Sequence, residues 1–278
     1  MAESIARHQV IETRHGSLVF GGRCLVMGIL NVTPDSFSDG GLYGDPVAAI
    51  AHGRRMAAEG ADVIDVGGES TRPGSEPVND DVQIERVVPV IRGLRGEGVD
   101  SPISIDTRSA AVAAAALEAG ADIVNDVSGA RDDPEMAELL AREGAAFVVM
   151  HMKGTPATMQ IAPQYDDVVA EVGAFFSERA ATLEATGVDT SKMIVDPGIG
   201  FGKTTEHNLR LLREIGRFVG RWPVLVGASR KRFIREVVGA DGILAGTVAV
   251  AMHCALAGVG MVRVHDVGPI RRLVESVA

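Results

Sequence analysis

The chain has 278 residues, 46% of them hydrophobic, a formal charge of -10 and only two cysteines. That length suits one α/β barrel or two smaller domains, and the negative balance argues against a nucleic-acid or membrane-surface protein, because phosphate backbones and anionic headgroups favour basic faces. Cys24 and Cys254 lack CxxC spacing, residues 1–22 lack a signal-peptide apolar core and no stretch reads as a membrane span, so a reducing, cytoplasmic location is expected.

Residues 8–21 read as a β-hairpin. Eight short runs rich in Val and Ile follow, each ending in polar residues, at 25–31, 63–65, 103–106, 123–126, 147–151, 193–196, 224–229 and 262–265. They are nearly continuous rather than alternating, as parallel strands covered by helices require. Between them, apolar residues such as Val169, Val172, Phe176 and Leu183, or Leu209, Leu212 and Val219, recur near the helical period. Asp45-Pro46 and Asp133-Pro134 each offer a cap followed by Pro at the first helical position. Gly60, Gly98, Gly120, Gly144, Gly187 and Gly258 stand where a left-handed C-cap tolerates glycine best. Eight strand-helix units of about 30 residues predict a single (β/α)8 TIM barrel over residues 1–278, with the hairpin plugging its bottom and the chemistry at the C-terminal strand ends. An open doubly wound sheet, the other architecture considered, would instead place ligands at one switch point.

The strand ends carry the candidate chemistry. Asn31 closes the first strand and opens GILNVTPDSFSDGG, a loop with the composition of a mobile lid, in which the aromatic Phe37 wants a ligand to cover it. The second loop offers Gly67 and Gly68 for close backbone approach and Arg72 as an anion-binding fork. Asp106, Asn125 and Asp196 end the third, fourth and sixth strands. One such group alone reads as a helix cap, but three on one rim can read the donor-acceptor edge of a flat nitrogen heterocycle. Asp65 and Asp126, a step further back, read as structural. Arg230, Lys231 and Arg232 after strand seven, with Arg263 and His265 at strand eight, form a cationic cluster where barrels often hold phosphate. Arg235, Arg271 and Arg272 read as helix-surface charges, and His52, His207 and His253 as surface or packing residues. No nucleophile elbow, Walker loop, HExxH or structural-zinc set is present.

Taken together, GILNVTPDSFSDGG, DVGGESTRPG, SIDT, VNDVSG, VMHMKGTPATMQ, DPGIGFGKT, GASRKRF and RVHDV, in that order from Met27 to about Asp266, closely resemble the dihydropteroate synthase family. The resemblance implies a homodimeric TIM barrel that joins 6-hydroxymethyl-7,8-dihydropterin pyrophosphate to 4-aminobenzoate with Mg2+, competed by sulfonamides. By motif, Asp106, Asn125, Met150, Asp196 and Lys231 are expected at the pterin. Asn31, Thr71, Arg72, Arg263 and His265 are expected at the pyrophosphate, with Asn31 also on the metal. Phe37, Arg72, Pro73, Phe201 and Lys231 are expected at the aminobenzoate. Catalytic roles then fall to Asp39, Asp106, Asp196, Lys231 and Arg263. Arg232 departs from the Ser found in many relatives, which bears on the aminobenzoate carboxylate contact. Two rivals share the fold: a pterin-binding methyl-transfer module of a corrinoid system, which has no need of the full anion set, and a noncatalytic paralogue, which keeps the fold without the activity. Residues 243–260, almost uncharged, are a candidate dimer surface.

Overall fold

The computed structural model describes residues 8–33, 45–70, 78–155 and 158–278. β1 (Gln9–Thr13) and β2 (Gly16–Phe20) pair antiparallel as the expected hairpin. Eight parallel strands follow: β3 (Leu25–Asn31), β4 (Val63–Gly67), β5 (Ile103–Asp106), β6 (Ile123–Asp126), β7 (Ala146–Met150), β8 (Met193–Asp196), β9 (Leu225–Val226) and β10 (Met261–Val264). Their order is β8-β7-β6-β5-β4-β3-β10-β9. A parallel bridge between Val195 and Val224 joins the two ends of the sheet, with the Val195 N–H donating to the Pro223 carbonyl at 2.9 Å. The barrel therefore closes, and the open-sheet alternative is set aside.

Helices α1 (Pro46–Ala58), α2 (Asp80–Gly96), α3 (Ala110–Ala119), α4 (Glu135–Glu143), α5 (Val168–Ala185), α6 (Thr205–Arg213), α7 (Arg232–Val238), α8 (Ile243–Leu256) and α9 (Val267–Ser276) surround it. Asp45 caps α1 by accepting from the Val47 N–H, with Pro46 first in the helix. Asp133 likewise accepts from the Glu135 N–H at 2.9 Å at the start of α4. All six glycines expected after helices have positive φ, from +58° at Gly144 to +115° at Gly120. His207 shares a capping box with Thr204 at α6, and His253 packs its Nε2 2.7 Å from the Leu212 carbonyl.

Side chains alternate in and out along each strand, and the two directions meet different surroundings. Outward residues such as Val26, Ile64, Ile105 and Val262 join the core beneath the helices. Inward residues in the lower barrel, among them Met27, Val63, Ile123, Val148, Ile194 and Met261, pack with Ile11, Leu18 and Phe20 of the hairpin. The plug fills the bottom with apolar matter, and the candidate site groups stand in the upper layers, where the strands end.

Two readings need correction. Strand seven is two residues long rather than six, because residues 227–231 leave the sheet in a turn: Arg230 has φ +58° and the Lys231 N–H donates to the Ala228 carbonyl at 3.2 Å. Arg271 is no loose surface charge. It joins Arg23 on the Asp62 carboxylate, whose oxygens also receive the Val26 N–H, and so fastens α9 to the lower rim.

Candidate active site

Inward positions at the ends of five strands supply polar groups to the barrel mouth. Arg263, inward on β10, lies between two carboxylates: its Nε donates to Asp65 Oδ2 at 2.5 Å and a terminal nitrogen to Asp106 Oδ2 at 2.7 Å. Asn125 donates from its amide to the same Asp65 oxygen at 3.2 Å. Gly67 leaves room beside them, since a Cβ there would stand 3.7 Å from Asn31 Oδ1 and 3.6 Å from the Asp106 Cβ. Gly227 does the same opposite, 3.8 Å from both Asp196 Oδ2 and the Arg263 Cβ. Asn31, Asp106, Asn125, Asp196 and Arg263 thus gather at one barrel-mouth surface, where the two glycines add no side chain of their own.

Burial decides the electrostatics of this surface. It pushes the Asp106 carboxyl up to about 7, against the pull of Arg263 and with the push of Asp65. Asp196 is raised by burial too, opposed mainly by Lys231. Arg263 stays a fixed cation, because the two carboxylates outweigh its desolvation. Among the described residues, Asp65 Oδ1, Asp106 Oδ1 and Ser104 Oγ are buried with no hydrogen-bond partner. Three such orphans in adjacent strands are costly unless a polar ligand or water completes them.

The loop after β8 forms the adjoining wall. Asp196 Oδ1 accepts the Gly198 N–H at 2.7 Å, and Asn208 Oδ1 accepts that of Gly200 at 2.7 Å. Lys231 donates to the Ile199 carbonyl, and its ammonium stands 4.4 Å from the centre of the Phe201 ring. Burial lowers the Lys231 pKa to about 8, while Asp196 and Asp106 favour the cation. Phe201 packs against a small apolar cluster containing Met150, Met152 and Met159. The wall therefore sets an aromatic ring and packed methionines next to a cation, beside the carboxylate rim.

Most sequence-predicted positions that fall in the described residues come together here: Asn31, Asp106, Asn125, Met150, Asp196, Phe201, Lys231 and Arg263. His265 sits at the edge, its Nδ1 3.0 Å from Ser229 Oγ. Phe37, Asp39, Thr71, Arg72 and Pro73 lie outside the described residues. Two members of the expected cationic cluster turn away: Arg230 pairs with Asp266 at 2.7 Å, and Arg232 is exposed and pairs with Glu236 at 2.8 Å, one helical turn on. Asp126 is structural as expected, accepting the Ser128 and Ala130 N–H groups. Asp65 is not merely structural, since it holds Arg263. Its inward parity with Val63 was the available signal. Lys203, wholly buried, was missed as well; as one polar letter in DPGIGFGKT it gives no sign of burial.

For a divalent cation, the described residues offer no converging group of three His, Cys, Asp or Glu side chains. Asn31 gives one hard oxygen at the mouth. That donor set fits Mg2+, which keeps waters and binds chiefly through substrate phosphates, and does not fit an all-protein metal cage.

A family model described as pterin binding enzyme matches residues 27–265. The dihydropteroate synthase of Mycobacterium leprae is 48% identical over 252 residues, covering 87% of this chain and 88% of its own. Among solved structures, the dihydropteroate synthase of Xanthomonas albilineans with 4-aminobenzoic acid superposes with a TM-score of 0.87, at 43% identity and 94% coverage of both chains. That of Yersinia pestis in a sulfonamide complex does so with a TM-score of 0.90, at 38% identity and 97% coverage of both chains.

Proposed function

The chain belongs to the dihydropteroate synthase family, and we propose that its barrel mouth joins 6-hydroxymethyl-7,8-dihydropterin pyrophosphate to 4-aminobenzoate, giving 7,8-dihydropteroate and pyrophosphate for folate synthesis. The observation that carries this reading is the set of buried acceptors from β4, β5 and β6, two of whose carboxylate oxygens have no partner. A pterin edge presents ring N–H and amino donors of matching polarity. Asp106, Asn125 and Asp196 hold that edge, with Met150 against the ring face and Lys231 beside it.

Asn31 and His265, with the fixed charge of Arg263, face the pyrophosphate end. Asn31 would hold Mg2+ at this end, where the ion would supply positive charge to the leaving pyrophosphate. The bond between the exocyclic methylene carbon and the pyrophosphate oxygen breaks first, and its electron pair leaves with the anion. Asp106 and Asp196 stabilise the positive character left on the electron-rich ring. The neutral aromatic amine, seated beside Phe201 with its carboxylate toward Lys231, then forms the new C–N bond and loses a proton to solvent. No covalent enzyme intermediate is required. The same family reading carries a homodimer, a cytoplasmic setting and competition by sulfonamides at the aminobenzoate position.

Incubating the protein with Mg2+, the pterin pyrophosphate and 4-aminobenzoate, and following pyrophosphate release together with dihydropteroate, tests the proposal. Release dependent on both substrates is expected. Folded protein that releases none, or that binds pterin without turnover, would overturn it.

A further inference from the structure

Lys203 is 2% exposed and has an unusual shell. Its Nζ lies 3.2 Å from the His151 carbonyl, 3.0 Å from that of Gly198, 2.9 Å from that of Phe201 and 3.0 Å from His151 Nδ1. Burial pulls its pKa well down, and Asp196 opposes. The shell decides the matter, because three of its four members are carbonyls, which can only accept. A neutral amine would turn its own lone pair on one of them, whereas an ammonium gives every N–H a target. Burial and Lys203 lower the His151 pKa to about 2, which holds its ring neutral.

The same shell belongs to a longer pattern. Five consecutive carbonyls are each taken by a side chain: Gly198 and Phe201 by Lys203, Ile199 by Lys231, Gly200 by Gln160 at 2.8 Å and Gly202 by Tyr165 at 2.8 Å. Glycine lets this loop fold so tightly. Gly198 has φ +64°, and a Cβ there would stand 2.0 Å from the very His151 carbonyl that Lys203 holds.

We infer that Lys203 is a positioning residue for the aminobenzoate side of the site: it ties residues 198–202 to the end of β7, and the tied loop in turn presents the Ile199 carbonyl and the Phe201 ring to Lys231. The inference rests on the function proposed above. It goes further by giving the Lys231 ammonium and the Phe201 ring a common mechanical support that touches neither substrate.

Two variants test it, Lys203→Met and the milder Tyr165→Phe, which removes only the bond to the Gly202 carbonyl. The first readout needs no turnover: the pH dependence of acylation of Lys231, followed by peptide mass spectrometry in the whole protein. Lys231 faces Asp196, Asp106 and Arg263, and these are unchanged in both variants. In the parent its half-reactive point is expected near pH 8. Loosening the loop exposes the amine, and in Lys203→Met also removes a nearby like charge, so that point moves toward the ordinary lysine range, further in Lys203→Met than in Tyr165→Phe. The second readout is steady-state kinetics, where KM for 4-aminobenzoate rises about tenfold or more while KM for the pterin substrate changes less, as a misplaced wall predicts. If Lys203→Met does not fold, Lys203→Gln, which keeps a donor for the carbonyls, takes its place beside Tyr165→Phe. Unshifted Lys231 titration with unchanged KM in the folded variants overturns the inference. Parent protein that shows the Lys231 shift on substitution but releases no pyrophosphate would overturn the proposed reaction instead.

Discussion

Arg263 reaches Asp65 across 198 residues of chain, donating from Nε to Oδ2 at 2.5 Å. Asp106 receives another of its nitrogens, so one guanidinium balances two buried carboxylates from neighbouring strands. Arg263→Met leaves both uncompensated, and we expect a loss of about 3–5 kcal/mol in urea denaturation. Adding Asp65→Asn should recover part of that loss, because it removes one of the orphaned charges. Equal stability of the single variant and the parent would show that the ion pairs contribute nothing to the fold.

Asp106→Asn keeps the shape and removes the charge. On the proposed chemistry kcat falls by about two to three orders of magnitude, with the far-ultraviolet spectrum and denaturation midpoint little changed. Near-full kcat in folded protein would remove Asp106 from the mechanism.

Lys231 gives the pH dependence its sign. Burial favours the neutral amine and brings the pKa down to about 8, with Asp196 and Asp106 resisting and Arg263 assisting. A cation that binds the aminobenzoate carboxylate is present below that pH and is lost above it. The plot of kcat/KM for 4-aminobenzoate should therefore descend through about 8. In Lys231→Arg, which stays charged throughout, the descent should vanish, whatever the absolute rate. A descent retained in that variant would assign it to another group.

Two glycines with the same backbone sign separate strain from collision. Gly187, φ +87°, has nothing within 4 Å of where a Cβ would stand, whereas Gly198, φ +64°, would place one 2.0 Å from a carbonyl oxygen. Gly187→Ala should cost about 1 kcal/mol and leave KM alone. Gly198→Ala should cost more and raise KM for 4-aminobenzoate, measured by denaturation and initial rates. Similar effects at both positions would contradict the tight loop.

Local signals located the elements well because they are local. Pro46 behind Asp45, the Gly that ends each of several helices and the apolar runs state their conformations within a few residues. Strand seven was overdrawn for the same reason: residues 227–229 look like a continuation of Val224, and only the turn at Arg230 takes them out of the sheet. The cationic cluster was overdrawn too, since Arg230 and Arg232 find Asp266 and Glu236 on the outside. Lys203 was invisible, because burial of a lysine is a property of its surroundings.

What the chain's letters determined by themselves was the alternation of strand and helix, the polar character of the strand ends and, through their motifs, the family. What only the closed barrel decided was who faces whom. Asp65 and Arg263 become partners when β10 pairs with β3 and β3 with β4, and Lys203 meets His151 when the loop after β8 folds back over the end of β7. Periodicity is written into neighbouring residues, while a buried charge chooses its partner from whatever the chain closure brings within about 3 Å.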